Sequence, residues 1–164
     1  MEKNTCPRLI FRQWGDDRLK YFAYGSNMNI AQMRSRCRDR RPPLGVATLD
    51  NHRLIINVDG YASIVKAPGS RVIGVLWEIS RDCEKALDEY EEVPRGLYSK
   101  AQVSVKMANG TSTDALVYIA SDESIGSPRP GYLEKIIMGA KENHLPIDYV
   151  ERISRLGSSG HFVE

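Results

Sequence analysis

The stretch that decides the fold is VATLDNHRLIINVDGYASIVKAPGSRVIGVLWEIS, residues 46–80. It is rich in β-branched and aromatic residues, which favour strands. Two dipeptides within it, Asp59-Gly60 and Pro68-Gly69, are typical of turns, and the first is a good hairpin signal. The pattern predicts three consecutive strands, over residues 46–58, 61–67 and 71–80. Strands joined by short turns pair antiparallel, so this section predicts a sheet built from hairpins.

The chain before this section predicts a strand followed by a short helix. LKYFAYG, residues 19–25, reads as a strand that ends at Gly25-Ser26-Asn27. Asn27 or Asn29 can cap a helix over about 29–38, which the Pro42-Pro43 pair ends.

The chain after this section alternates helical and strand patterns. RDCEKALDEYEE, residues 81–92, has Ser80 as a plausible N-cap, and its apolar stripe consists of Cys83, Ala86, Leu87 and Tyr90. Two more strands, at 98–107 and 113–120, meet at the Asn109-Gly110 turn. Helices are predicted from Tyr132 and over about 147–156.

These elements predict an α+β fold: a mixed, mostly antiparallel curved sheet or β-barrel flanked by helices. The chain has 164 residues, of which 41% are hydrophobic and 27% charged, the balance of an ordinary globular domain. We expect one domain over residues 19–156, with an N-terminal arm at 1–18 and a C-terminal tail at 157–164.

The N-terminal residues lack the apolar centre of a secretory signal, and no apolar run reaches the roughly 20 residues of a membrane span. These features predict a cytoplasmic protein that does not associate with a membrane. The cysteines and histidines are scattered, without C-x-x-C or metal-ligand spacing, which argues against a disulfide framework and against a metal site. They are Cys6, Cys37, Cys83, His52, His144 and His161.

The formal net charge of +2 does not indicate a protein that binds nucleic acid through its overall charge. The local exception is RSRCRDRR, residues 34–41, which has two readings. One is a solvated helix end; the other is a site for an anionic partner, which the absence of interleaved aromatic residues weakens. We favour the solvated helix end.

Three features could carry chemistry, and each also has a structural explanation. The Tyr24–Asn27 turn places Gly25 and a helix N-terminus where backbone amides suit an anion, although an ordinary Asn-capped turn is the favoured reading from these residues alone. Glu91 lies at the edge of the apolar stripe and could face a pocket, although a solvated acidic face is the simpler reading. Tyr98 and Tyr132 could wall a pocket or belong to the core.

Four blocks of the chain, in order, resemble the γ-glutamylcyclotransferase family, part of the AIG2-like superfamily. The blocks are YFAYGSNM (21–28), GYASIVKAPGSRVIGVLWEIS (60–80), LDEYEEV (87–93) and PGYLEKIIMGAKENHLPIDYVERI (130–153). The resemblance implies a mixed β-barrel flanked by helices and often a homodimer. It also implies a reaction that needs neither a metal nor another cofactor.

The resemblance also implies a set of site residues. Glu91 matches the family's catalytic glutamate, a general acid and base. The residues that match substrate-binding positions are Tyr21, Phe22, Ala23, Tyr24, Gly25, Ser26, Asn27, Tyr98 and Tyr132. Asn27 favours the branch that acts on γ-glutamyl amino acids. Tyr90 and Glu92 depart from the family pattern: Tyr90 is expected to narrow the pocket, and Glu92 adds a carboxylate that could favour a cationic leaving group.

The function implied is conversion of a γ-glutamyl amino acid or amine to 5-oxoproline and the free amine, with a small-molecule γ-glutamyl substrate and no nucleic acid or membrane partner. Three alternatives stay open. A related enzyme could remove a γ-glutamyl protecting group from a biosynthetic intermediate, and a member of the same fold could bind a small molecule without catalysis. A protein that binds anions or nucleic acid would rest on residues 34–41.

Overall fold

The computed structural model describes residues 17–159. Within these residues, nine regular elements follow one another, with short 3-10 turns at Ser26–Met28 and Val93–Arg95. In order they are β1 (Leu19–Ala23), α1 (Ile30–Arg36), β2 (Gly45–Ile56), β3 (Ala62–Ile79), α2 (Arg81–Tyr90), β4 (Tyr98–Met107), β5 (Ser112–Ala120), α3 (Tyr132–Glu142) and α4 (Ile147–Ser159).

The five strands form a closed barrel in the order β1-β3-β2-β4-β5. Neighbouring strands are antiparallel except at the closure, where β1 pairs with β5 in parallel and Tyr21 lies opposite Leu116. Closure removes the unpaired strand edges that an open sheet would expose. The predicted α+β fold, with a mixed and mostly antiparallel barrel flanked by helices, is confirmed.

Strand β3 differs from the sequence prediction of two strands separated by a Pro68-Gly69 turn. It is one strand of 18 residues that pairs along its length with β2. The pairing register shifts so that residues 67–70 lie opposite Asn51 alone, and the Gly69 N–H donates to Asn51 Oδ1 at 3.2 Å. Pro68-Gly69 therefore forms a bulge. The chain does not reverse direction there, because the residues of β3 before and after the bulge both pair with β2.

The other predicted turns and caps lie where the sequence places them. The Asp59-Gly60 region joins β2 to β3, with Asn57 N–H donating to Tyr61 O, and the Asn109-Gly110 turn joins β4 to β5. Asn29 caps α1 by accepting from the Gln32 N–H at 3.0 Å, and Ser80 caps α2 by accepting from the Cys83 N–H at 3.1 Å.

Two helix predictions need correction at their ends. Tyr90, predicted to lie on the buried stripe of α2, is 47% exposed, because α2 ends there and its ring leaves the core. Helix α1 ends at Arg36 instead of residue 38, since Cys37 has an extended backbone. Helix α4 continues to Ser159, beyond the predicted boundary at 156, and residues 1–16 and 160–164 lie outside the described part.

A disulfide joins Cys37 to Cys83, which contradicts the prediction drawn from cysteine spacing. Cys37 ends α1 and Cys83 lies in the first turn of α2, and both side chains are buried. The two residues are 46 positions apart in sequence. Only the packing of α1 beside α2 brings them together, so their spacing carried no signal. Cys6 lies outside the described residues.

Between residues 17 and 159, no helix is long and apolar enough to cross a membrane.

Candidate active site

A cavity of about 380 Å³ lies where the Tyr24–Asn27 turn, the end of α2 and the first residues of β3, β4 and α3 meet. Seven of the chain's eight tyrosines line it, so its walls combine aromatic surface with hydroxyl groups. The lining residues are Tyr21, Tyr24, Gly25, Ser26, Asn27, Tyr61, Ala62, Glu89, Tyr90, Glu91, Glu92, Leu97, Tyr98, Tyr118 and Tyr132.

Gly25, in the turn after β1, is closely surrounded. Its φ of −116° lies outside the left-handed region, so close packing and not backbone conformation favours glycine here. A Cβ at Gly25 would lie 3.2 Å from the Ala62 Cβ and 3.3 Å from the Tyr132 Oη. The absence of a side chain therefore lets this turn pack against β3 and α3. Ser26 and Asn27, which follow, are buried.

Glu91 is brought into the cavity by the end of α2. Its N–H still donates to Leu87 O, but it is the C-cap residue, so the chain leaves the helix there. Its Oε1 accepts a hydrogen bond from Asn27 Nδ2 at 3.1 Å. Burial raises the pKa of Glu91 to about 7, against the opposing effects of the nearby Arg36 charge and the Asn27 hydrogen bond. Both protonation states are therefore populated near neutral pH, as a general acid and base requires.

Asn27 connects the turn to Glu91, and hydrogen bonds fix both its side chain and its main chain. Its Nδ2 also donates to Tyr21 Oη at 2.8 Å, its main-chain oxygen accepts from Trp77 Nε1 at 3.1 Å, and its Oδ1 accepts from Arg36 Nη1. Because Arg36 can only donate, it forces the amide oxygen towards itself and the amide nitrogen towards Glu91.

Arg36 is a site residue that the sequence analysis missed, since it was grouped with the solvated arginines of residues 34–41. Its Nη2 donates to Gln32 Oε1 at 2.7 Å, and its guanidinium lies 3.4 Å from the centre of the Tyr90 ring. One local signal could have separated it from its neighbours: Arg36 lies three positions after the buried Met33, on a helix that begins directly after the turn.

The tyrosine hydroxyls are tied to the backbone of the barrel. Tyr98 Oη donates to Ala62 O at 2.9 Å, and Tyr132 Oη accepts from Ala62 N–H at 3.1 Å. Tyr24 Oη donates to Tyr118 O. Burial raises the pKa of Tyr132 to about 12 and those of Tyr21, Tyr24 and Tyr98 well above their ordinary value. These hydroxyls are therefore neutral near pH 7.

Eight of the ten site residues expected from sequence line the cavity: Tyr21, Tyr24, Gly25, Ser26, Asn27, Glu91, Tyr98 and Tyr132. Phe22 and Ala23 do not, because both are buried in the hydrophobic core next to Gly74. Consecutive strand residues point to opposite faces, so a contiguous block on β1 could not all face one cavity. The structure adds Tyr61, Ala62, Leu97 and Tyr118, which the sequence did not single out.

Within residues 17–159, no group of three or more His, Cys, Asp or Glu side chains is arranged to hold a metal ion.

Comparison with known proteins identifies the family. The model of the AIG2-like family matches residues 71–153. The γ-glutamylcyclotransferases of Homo sapiens and Mus musculus are each 32% identical to this chain over 149 residues, covering 83% of this chain and 77% of theirs. The chain belongs to the γ-glutamylcyclotransferase family. A solved structure of a γ-glutamyl cyclotransferase superposes with a TM-score of 0.78 at 31% identity, covering 84% of this chain and 86% of that chain.

Another solved structure shows the same architecture in a bacterial protein. YkqA from Bacillus subtilis is similar to this chain with a TM-score of 0.75 and 26% identity, covering 87% of this chain and 55% of that protein. Membership of the γ-glutamylcyclotransferase family thus explains both the sequence similarity and the similarity of the barrel around the tyrosine-lined cavity.

Proposed function

We propose that this protein is a γ-glutamylcyclotransferase that converts a γ-glutamyl amino acid or amine to 5-oxoproline and the free amine. One observation carries the proposal: Glu91, the carboxylate that matches the family's glutamate, lies in the tyrosine-lined cavity with a pKa near 7. A volume of about 380 Å³ falls within the usual range of small-molecule sites.

The proposed chemistry uses a nucleophile that the substrate carries. The α-amine of the γ-glutamyl group attacks its own γ-carbonyl, forming the C–N bond of a five-membered lactam. The bond from the γ-carbon to the departing nitrogen then breaks. Holding the substrate folded supplies proximity, which is worth roughly 7–11 kcal/mol of barrier in well-oriented cases. Atoms balance without a co-reactant: the attacking nitrogen loses two protons between the α-ammonium and the lactam N–H, and the departing nitrogen gains two when it leaves as an ammonium.

Glu91 is proposed to move these protons one at a time. An α-ammonium cannot attack a carbonyl, so the ionised carboxylate first removes one proton and passes it to the departing nitrogen. It then carries the second proton, which the ring nitrogen loses as the lactam forms, by the same route. A carboxyl group with a pKa near 7 can do both at neutral pH, whereas an ordinary glutamate is a poor acid donor there. The hydrogen bond from Asn27, which Arg36 orients, supports the ionised form and aims the carboxylate.

The turn and the tyrosines are proposed to hold the substrate. Gly25 and Ser26 line the cavity, and their backbone amides would bind either the developing oxyanion or the α-carboxylate. Tyr98 and Tyr132 are anchored to Ala62, so they would present fixed aromatic walls to the folded substrate. The prediction that Ser26 is not a nucleophile follows from this scheme.

A panel of substrates tests the proposal. Purified protein is incubated separately with γ-glutamyl-alanine, γ-glutamyl-lysine, glutathione and several γ-glutamyl amines, and 5-oxoproline is quantified over time. We expect product from at least one compound, and the preferred leaving group separates general turnover of γ-glutamyl amino acids from removal of a γ-glutamyl protecting group. If no compound yields 5-oxoproline, the enzyme assignment fails and a non-catalytic binding protein takes its place.

Two further expectations stay proposals. We propose a cytoplasmic location, although disulfides such as Cys37–Cys83 are more typical of oxidising compartments. Fractionation of cells that express the full chain decides between the cytoplasm and an oxidising compartment.

We also propose a homodimer, which sedimentation of the purified protein would show as twice the mass of the chain.

A further inference from the structure

A second cavity of about 200 Å³ lies directly beside the proposed active site. The two cavities share four lining residues, so they are separated only by common side chains: Ser26, Tyr61, Tyr90 and Tyr132. The other walls of the second cavity come from α1 and from the start of α3 with the residues before it: Gln32, Arg36, Arg129, Pro130 and Lys135. A substrate that reacts next to Glu91 and extends across this shared edge would enter the second cavity.

The two cavities have opposite charge. The first is lined by Glu89, Glu91 and Glu92 and by no Lys or Arg, whereas the second is lined by three cations and by no carboxylate. The acidic charge of Glu92 is partly compensated, since it pairs with Arg95 at 3.0 Å. The Glu92 carboxylate is therefore a weaker reason to expect a cationic leaving group than the sequence alone implied.

Two of the three cations keep donors available for a ligand. Both terminal nitrogens of Arg36 already donate hydrogen bonds, one to Asn27 and one to Gln32. Arg129 is held along one edge, because its Nε donates to Asp59 O at 2.8 Å and its guanidinium lies 4.7 Å from the Tyr61 ring centre. Its two terminal nitrogens have no protein partner among residues 17–159, and the same holds for the ammonium of Lys135.

The chemistry of the reaction decides which part of the substrate reaches these cations. The α-carboxylate of the γ-glutamyl group is one carbon from the attacking amine, so ring closure keeps it near Glu91 in the first cavity. The departing amine lies on the other side of the γ-carbonyl and carries whatever extends away from the ring. An anion in the second cavity therefore belongs to the departing group.

We propose that Arg129 and Lys135 form a binding subsite for carboxylates of the departing group, which makes an acidic amino acid the best leaving group. This inference rests on the proposed function. A guanidinium with both terminal nitrogens available suits bidentate binding of a carboxylate, and the Lys135 ammonium supplies a second positive charge for a second carboxylate. The order of preference is γ-glutamyl-glutamate, then γ-glutamyl-alanine, then γ-glutamyl-alanine amide, which has no carboxylate on its departing part.

The test compares these three substrates in the wild-type protein and in Arg129→Gln, Lys135→Gln and the double variant. Lys141→Gln is the matched control, since Lys141 is an exposed lysine of the same helix that lines neither cavity. We expect each single variant to lower kcat/KM for γ-glutamyl-glutamate by roughly 10-fold, mainly through KM, because a hydrogen bond to a charged group is lost. Turnover of the amide and all rates of Lys141→Gln should stay unchanged.

Arg129 packs against Gly60, so its replacement could disturb the turn before β3. A disturbed turn would also slow turnover of γ-glutamyl-alanine amide, which is measured in the same assay. Lys135→Gln tests the subsite without altering Arg129. Equal wild-type kcat/KM for all three substrates, or variants that slow the amide as much as γ-glutamyl-glutamate, would overturn the subsite and leave the proposed function standing. Absence of 5-oxoproline from every substrate would instead contradict the proposed function.

Discussion

The two ends of α2 hold carboxylates in contrasting environments. Glu84, in the first turn, pairs with Lys100 Nζ and with Arg81 Nη1, each at 3.0 Å. Burial by itself raises the pKa of Glu84, but these hydrogen bonds outweigh it and hold the pKa below its ordinary value. Glu91, at the other end, has the neutral Asn27 amide as its hydrogen-bond partner, and burial raises its pKa to about 7.

The contrast shows that the partner, more than the position near a helix, determines what an acidic residue does. A carboxylate at a helix N-terminus is also favoured by the helix dipole, and one at the C-terminus is disfavoured. Asp88, one turn before Glu91, is also ion-paired, because it accepts from Lys100 Nζ at 2.8 Å and from Tyr118 Oη at 2.6 Å. The acidic helix thus divides into structural ion pairs and one group suited to proton transfer.

The largest expected effect is on catalysis. Glu91→Gln should lower kcat for 5-oxoproline formation by roughly 10²–10⁴-fold, because the group proposed to transfer the proton is lost while the shape of the cavity is kept. The matched control, Glu84→Gln, should stay within a few-fold of wild type in the same assay. Near-wild-type turnover by Glu91→Gln would remove Glu91 from the proposed role.

A smaller effect, with opposite signs at the two ends of α2, is expected on stability. The folded-state pKa of Glu91 is about 7 against 4.5 for an unperturbed glutamate, so the stability from its neutral form is present below about pH 4.5 and is lost as the pH rises through 7. Glu91→Gln is neutral at every pH. Its free energy of unfolding should exceed that of wild type by on the order of 3 kcal/mol at about pH 8.

Urea unfolding at about pH 4 and at about pH 8 measures this difference, which should vanish at the lower pH. Glu84→Gln should instead be less stable than wild type at about pH 8, by roughly 1 kcal/mol or less, since its pairs are partly exposed. That loss should disappear as the pH falls through the lowered pKa of Glu84. A Glu91→Gln protein less stable than wild type at about pH 8 would contradict the assigned burial of the charge.

The smallest expected effect is a shift in pH dependence. The charge of Arg36 lowers the pKa of Glu91, so Arg36→Gln should move the acid limb of the kcat/KM profile to higher pH. Arg36→Lys keeps a positive charge and should shift the limb less. Arg34→Gln, an exposed arginine of the same helix, is the control and should leave the limb in place. An unchanged limb in Arg36→Gln would show that Arg36 does not act on Glu91.

Signals that act over a few residues predicted much of this molecule. The Asn29 and Ser80 caps, the Asp59-Gly60 and Asn109-Gly110 turns and the α+β class with a mostly antiparallel sheet all follow from local residue preferences and strand patterns. The resemblance of the 21–28 and 87–93 blocks to known family members brought Glu91 and the turn into one proposed site.

Features that depend on distant partners were predicted wrongly or not at all. Pro68-Gly69 became a bulge because β2 is long enough to pair with both halves of β3. Cys37 and Cys83 are bonded because α1 packs beside α2. Tyr61 lies in the recognised 60–80 block and Tyr118 lies outside all four blocks, and neither was assigned to the site. Folding places both at the cavity, beside residues distant from them in sequence.

By itself, the sequence determined most of the elements, their caps and most of their turns, because those depend on neighbours along the chain. Its resemblance to a family also singled out Glu91. Only the tertiary structure showed the environment of that carboxylate. Glu91 acquires its raised pKa from burial and its orientation from Asn27, 64 positions away, which Arg36 holds in place. Glu84 has the same side chain on the same helix and is held ionised by Lys100 and Arg81.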